Sequence, residues 1–326
     1  MNVSAFLNSG LSSCPKYIPS WFAYDEVGCA FFNESLKKNE FYYFYKFEKS
    51  IIKEYAQEVA ESATKPSSIV DLGCGNAEKT CLFLDEYLRT ENSLSYIPVD
   101  ICEAIVSEQL TKTSTRLTQL YKNQLVIQSM AGEYHDVIPK LLEYQGKKLI
   151  LWIGGAFQNS NYPKQIKLLS LISQNMKEDE RLLITVDMTQ DKNTIEKAYL
   201  DPTGHHEKLY WNTLNRLNRE IGTNIDMSKF VLEGEFITDD EDQKPGAMFI
   251  WLRSVTKQSF MIDTDSLKMN VELEENEKIY LNEGGGVTYK YTEKQLNYLF
   301  QQSNVEVVKR WRNQHIGMVL LKPVQN

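Results

Sequence analysis

The stretch from residue 68 to residue 80, SIVDLGCGNAEKT, constrains this chain more than any other. A short β-branched and apolar run passes straight into two glycines, and a helical pattern follows over residues 78–88. Glycines between a strand and a helix let the backbone approach a ligand closely at the carboxyl edge of a sheet. Residues 95–101, 124–130, 148–153 and 181–188 read as further strands, and residues 105–121 as a long helix. The run at 148–153 is nearly all apolar, which suits a central parallel strand buried on both faces. This alternation predicts an α/β fold with a doubly wound, mostly parallel sheet and right-handed crossovers.

The C-terminal end extends the same sheet. The tetrad TEKQ at 292–295 has capping-box spacing and opens a helix to about residue 303. Two strands, 305–311 and 316–322, follow, joined by a polar turn. Residues 1–60, aromatic-rich and mostly helical in pattern, stand outside the rhythm. So do residues 191–290, with helices and then strand-like runs at 230–237, 247–254 and 266–281. The expected organisation is therefore a nucleotide-type domain over 61–190 plus 291–326, and a smaller α+β lobe over 1–60 plus 191–290. The acidic run at 239–242 reads as a solvated loop.

Composition narrows the function. In 326 residues, 42 % are hydrophobic, so a sizeable core is available. The formal net charge is −8, with no block of Lys and Arg to release counterions from phosphate, so nucleic acid is not expected as a partner. No apolar stretch is long enough to span a bilayer and no leader pattern opens the chain, so a cytoplasmic protein without a membrane partner is expected. The five cysteines form no C-x-x-C pair, which argues against a zinc site or disulfide framework. The pair His205-His206 follows Pro202, Thr203 and Gly204 and reads as a solvated turn, not a metal site.

Three strand ends carry the chemistry. Gly73, Cys74 and Gly75 follow the first strand. Asp100 ends the second, where a carboxylate accepts hydrogen bonds from both hydroxyls of a ribose. The third is followed by GEY at 132–134, where Glu133 and Tyr134 offer a polar and an aromatic side chain to an adenine. A dinucleotide fingerprint requires a third glycine where Glu78 stands, which disfavours a nicotinamide-dependent oxidoreductase. A nucleoside site with a terminal helix and hairpin points to a Rossmann-like class I methyltransferase. Its sheet would be seven-stranded and mostly parallel, its cofactor S-adenosyl-L-methionine (SAM), and its second product S-adenosylhomocysteine.

The chain resembles the histidine-specific N-α-methyltransferase family of ergothioneine biosynthesis, which also includes fungal enzymes acting on prenylated tryptophan. The resemblance runs from about residue 19 to the C-terminus. It is carried by WFAYDEVG at 21–28, DLGCGNAEKT at 71–80, YIPVD at 96–100, GGAFQN at 154–159, AYLDP at 198–202, NRE at 218–220, WLR at 251–253 and KY at 290–291. It implies a SAM-dependent enzyme that methylates the α-amino group of a free amino acid and needs no metal. It also implies that Tyr24, Gly73, Lys79, Asp100, Glu133, Tyr134 and Gly154 contact the cofactor, and that Asn159 and Tyr199 hold the substrate carboxylate. Phe32 belongs to the same substrate region.

The side-chain pocket departs from the histidine pattern. The family holds imidazole partly through a Glu-x-Ser pair ahead of the Lys-aromatic dipeptide; here GVT at 286–288 stands there, with Gly286 for the acid and Thr288 for the serine. Glu283 substitutes only if the intervening glycines loop out. Ile250 replaces a methionine, and a pocket tyrosine becomes Phe41, or Tyr42 if the register slips by one. Losing partners for imidazole nitrogens lowers affinity for histidine. The expected substrate is an aromatic amino acid: tryptophan, tyrosine or a derivative. Histidine through Glu283 is the alternative, and a SAM-binding protein without turnover a further one. Tyr24 either orients the amine or takes its proton, or packs over the cofactor. A monomer is the favoured assembly state.

Overall fold

The computed structural model of the chain describes residues 3–63, 65–89, 91, 93–100, 115–121, 124–238 and 243–324. Two compact units emerge. One comprises Phe44–Thr189, Glu241–Pro245 and Lys290–Asn326, the other Met1–Tyr43, Gln190–Asp240 and Gly246–Tyr289.

The first unit is built on strands β1 (Ser68–Leu72), β2 (Leu94–Asp100), β3 (Leu125–Ile127), β4 (Met130–Ala131), β5 (Lys148–Trp152), β6 (Arg181–Asp187), β7 (Val305–Arg312) and β8 (Ile316–Pro323). Its longer helices are α1 (Tyr43–Ser62), α2 (Thr80–Leu88), α3 (Tyr162–Gln174) and α4 (Glu293–Gln302). The strand order is β7-β8-β6-β5-β1-β2-β3, with β4 pairing β2 beyond β3. Strand β8 runs antiparallel between β6 and β7, while β1, β2, β5 and β6 are parallel. This is the seven-position sheet of class I methyltransferases. Every residue of β1 and β5 is buried, the polar Ser68, Asp71 and Lys148 among them. The strand order reverses between β1 and β5, which opens a crevice at their carboxyl ends. Pro98 in β2 cannot donate to a neighbour, and it falls where the adjacent edge breaks between β3 and β4. The capping box expected at Thr292 and Gln295 starts α4.

Helix α1 corrects the expected boundary at residue 60. Its residues from Phe44 onward belong to the sheet unit: Glu58 accepts from Trp311 Nε1 at 2.8 Å, and Asn313 donates to the Phe47 carbonyl at 2.8 Å. Of the helix expected over 105–121, only 115–121 is described, and it is helical; residues 101–114 lie outside the described residues, as does the acidic run 239–242.

The second unit combines helices Val3–Ser12, Glu26–Lys38, Lys192–Tyr199 and Glu207–Arg216 with a five-stranded sheet. Strand Gly246–Ser254 pairs antiparallel with Phe230–Ile237 and with Lys278–Tyr280. Strands Gln258–Asp263 and Lys268–Leu273 form a separate antiparallel hairpin. The single run expected over 266–281 is thus two strands, broken where Asn276 turns with φ of 68° and Glu277 donates to the Glu274 carbonyl. No helix among the described residues is long and apolar enough to cross a membrane.

Candidate active site

In the sheet unit, the loop after β1 is shaped for close approach. Gly73 has φ of +75°, and a Cβ there would stand 2.7 Å from both the Ala156 Cβ and the Tyr134 hydroxyl. Gly75 has φ of +50° and open space where its Cβ would be. Its amide donates to Asp100 Oδ2 at 3.1 Å, so the carboxylate at the end of β2 and the glycine turn are one structure. Cys74 is buried between them, and burial pushes its thiol up, out of reach of ionisation at neutral pH.

Asp71, at the end of β1, accepts from the Tyr96 hydroxyl at 2.9 Å and from the Thr80 hydroxyl. Burial lifts its carboxyl to about 6 against those hydrogen bonds. Its Oδ1 is buried with no partner among the described residues. A buried acceptor, an open glycine turn and a carboxylate at the next strand end suit a cationic nucleoside such as SAM. Tyr134 opens a short turn of helix at Tyr134–Val137 and meets Trp152 edge-on at 5.3 Å, while Glu133 precedes it and lies 3.4 Å from His135.

The expected cofactor residue Lys79 has a different immediate partner. Its ammonium pairs with the fully buried Glu48 of α1. Glu48 also accepts from the Gly154 amide at 2.5 Å and from the Thr185 hydroxyl. One carboxylate thus ties α1, the start of α2, the turn after β5 and strand β6 together, and fixes Gly154 at φ of +80°. Nothing in a helical run of mixed charge marks Glu48 from sequence. Asn159 lies in the same turn, half-buried, with its amide on the Gly155 carbonyl at 3.1 Å. The Lys290-Tyr291 dipeptide is structural: Lys290 and Asp187 form a fully buried ion pair at 2.8 Å.

The second unit gathers aromatic rings. Tyr42 stacks on His206 at 4.9 Å and meets Tyr199 edge-on at 5.6 Å. Phe32 meets Tyr24 at 5.7 Å, His206 at 6.0 Å and Tyr42 at 6.3 Å. Tyr210 meets His206 at 5.3 Å. Tyr24, Phe32 and Tyr42 are half-buried, whereas Tyr199, His206 and Tyr210 are buried. Burial pushes the Tyr24 phenol far above its ordinary value, so it is protonated at neutral pH.

His206 corrects the reading of a solvated turn. The Asp201 carboxylate accepts from the backbone of Thr203, His205 and His206, and this folded turn drives His206 inward to 2 % exposure. The signal was present in the spacing: His206, Leu209, Tyr210, Thr213 and Leu214 fall on one apolar helical stripe.

The remaining expected substrate residues divide. Of the two candidates for the displaced tyrosine, Tyr42 joins the aromatic cluster while Phe41 is 40 % exposed. Ile250 is fully buried in strand Gly246–Ser254, opposite Gly234. Gly286 opens strand Gly286–Lys290, where a Cβ would meet the Ala247 Cβ at 2.9 Å. The Thr288 hydroxyl is buried with no partner among the described residues. Glu283 is exposed on a turn made by Gly284 and Gly285, both with positive φ. The glycines carry it to the surface, and Asn282, donating to the Gly286 carbonyl at 2.8 Å, is the buried polar residue there.

Comparison with known proteins agrees with the sheet's topology. Residues 3–323 match a family described as histidine-specific, SAM-dependent methyltransferases. The chain is 26 % identical over 272 residues to a histidine N-alpha-methyltransferase of Mycobacterium tuberculosis, covering 83 % of this chain and 80 % of that one. It is 22 % identical to the N-methyltransferase imqF of Aspergillus flavus, covering 94 % and 80 % respectively. Against the L-tryptophan methyltransferase trpM of Psilocybe serbica the identity is 27 %, with 61 % of each chain covered.

Proposed function

The chain belongs to the histidine-specific, SAM-dependent methyltransferase family, and from that premise we propose that it methylates the α-amino group of a free aromatic amino acid: tryptophan, tyrosine or a derivative of either. The observation that carries the choice of substrate is the second unit's cluster of Tyr24, Phe32, Tyr42, Tyr199 and Tyr210 around a buried His206. Glycine stands where the family keeps an acid for imidazole, and Glu283 is exposed. Flat aromatic walls without a carboxylate favour an indole or phenol ring over an imidazole.

SAM supplies an electrophilic methyl group on a sulfonium. The protein's part is to bind, orient and exclude water. The Gly73–Gly75 turn and Gly154 would let the backbone lie against the cofactor, and Asp100 would accept from its ribose. The family resemblance assigns the substrate carboxylate to Asn159 and Tyr199, whose amide and phenol can each donate a hydrogen bond. Holding nitrogen and methyl carbon in line contributes roughly 7–11 kcal/mol. The amine must attack unprotonated, so its ammonium proton is given up to water before the methyl group is transferred. Tyr24, kept as a neutral phenol, orients it through the oxygen lone pairs; a phenolate base is disfavoured by the same burial.

The test is methylation of each common amino acid in turn, followed by mass spectrometry with fragments that locate the methyl group. Methylation of tryptophan or tyrosine at the α-nitrogen is expected. Turnover of histidine in preference to both would overturn the substrate assignment, and product from no free amino acid would overturn the enzyme reading.

A further inference from the structure

We propose that His206 is the specificity-determining residue of this enzyme, its Nε2 accepting the one directional hydrogen bond offered by the substrate's ring, from an indole N–H or a phenol O–H. This rests on the aromatic amino-acid reading above and names the group that discriminates within that class.

Three observations lead to it. The first is how firmly the imidazole is held. Its Nδ1 lies 2.8 Å from the Ser35 hydroxyl, its backbone amide donates to Asp201 at 2.7 Å, and its ring is stacked on Tyr42. When Nδ1–H donates to Ser35, Nε2 carries the lone pair. Among the described residues, no hydrogen-bond partner reaches Nε2. An acceptor that no protein donor satisfies is available to a ligand that supplies one.

The second is the shape of the surroundings. His206, Tyr199 and Tyr210 make a buried floor, and the half-buried Tyr24, Phe32 and Tyr42 make a rim. These rings come from separate segments of the unit, namely the turn after Ser20–Ala23, helices Glu26–Lys38, Lys192–Tyr199 and Glu207–Arg216, and the loop before α1. A histidine used only as filler would not require walls of phenols. The hydroxyls of Tyr24, Tyr42 and Tyr199 lie near enough to that of Tyr210 to push its phenol up further.

The third is charge. Burial holds His206 down to about 4, so the ring is neutral across the physiological range and keeps its lone pair. A neutral acceptor among uncharged rings favours a neutral N–H or O–H donor over a ring without one.

The experiment compares kcat/KM for tryptophan and 1-methyltryptophan, in which a methyl group replaces the indole hydrogen, and for tyrosine and phenylalanine, which differ only by the phenol hydroxyl. Wild-type enzyme is expected to favour the donor-bearing member of each pair by about 100-fold. In His206→Ala both preferences should fall to within about threefold, with KM for tryptophan raised about 10-fold or more and kcat changed far less. His206→Gln, which keeps an acceptor, should recover part of the preference. S-adenosylhomocysteine affinity, read on the sheet unit, and the melting transition report whether each variant folds. If His206→Ala does not fold, Ser35→Ala carries the test, since loosening the tautomer should lower the preference without removing the ring. Equal wild-type rates within both pairs, or a preference unchanged in the folded variants, would overturn the role of His206 alone. A wild-type enzyme that turns over histidine and neither tryptophan nor tyrosine would overturn the underlying reading.

Discussion

The two units bury different kinds of polar group. In the sheet unit, Glu48 with Lys79, Lys148 with Glu180, and Asp187 with Lys290 are ion pairs in which five of the six side chains are at most 1 % exposed. In the second unit, Asp201 is the one carboxylate among the buried described residues, and the other buried polar groups are neutral side chains such as Ser35, Asn39, His206, Asn212 and Thr288. Buried charge demands fixed geometry, because each ion is stable only with its partner in place. That suits the part of a methyltransferase that meets an invariant, charged cofactor. Aromatic walls without charge demand only shape and a few hydrogen bonds, and shape is what must change when a family moves from one amino acid to another. The difference teaches where substitutions alter fold, and where they alter substrate.

The largest effect should come from breaking a pair. Asp187→Asn leaves the Lys290 ammonium buried and should destabilise the protein by about 3–5 kcal/mol, measured by denaturant unfolding. Replacing both partners by apolar residues, Asp187→Leu with Lys290→Met, should recover most of that loss. An unchanged midpoint in Asp187→Asn would remove the contrast between the units.

The pH responses of the two units should oppose one another. His206 is held down to about 4 in the folded state and titrates near 6.5 when unfolded, so the unfolded chain binds its proton first as pH falls. Stability is lost from pH 6.5 towards 4, by about 3 kcal/mol from this group. Asp71 is lifted to about 6, so the folded state binds its proton first, and stability is gained as pH falls from 6 to the ordinary carboxylate range. His206→Phe should therefore lose less stability than wild type between pH 6.5 and 4. Parallel pH profiles for the two proteins would show that His206 is not held neutral.

A smaller change tests the cofactor turn. Gly73→Ala adds a methyl at positive φ against Ala156 and Tyr134 and should weaken S-adenosylhomocysteine binding by about 100-fold in calorimetry. The smallest effect belongs to Glu283→Ala. Exposed on its glycine turn, Glu283 should alter stability by less than about 0.5 kcal/mol and leave turnover of every amino acid unchanged. Loss of histidine turnover in this variant would restore a pocket role for that carboxylate.

What the sequence made legible was mostly local or periodic. The glycine turn after β1, the carboxylate ending β2, the apolar run of β5 and the capping box of α4 each announce themselves within a few residues. Glu48 did not, because its meaning lies in contacts with Lys79, Gly154 and Thr185, which are distant in sequence. The boundary at Tyr43 was missed for the same reason: α1 is amphipathic in either unit, and only its contacts with Asn313 and Trp311 assign it. His206 was hidden by its neighbours, since a Pro-Thr-Gly turn reads as solvent-facing until the Asp201 carboxylate is seen to fold it back. Spacing alone leaves a one-residue register open between Phe41 and Tyr42, and of the two it is Tyr42 that stacks on His206.

The most direct test is a competition assay. Tryptophan and histidine would be supplied together at equal concentration with SAM, and the two α-N-methylated products quantified from the same reaction. The account predicts that methyltryptophan dominates by the ratio of the two kcat/KM values. Methylhistidine in excess would contradict it, and would mean that a group other than Glu283 supplies the imidazole's partner.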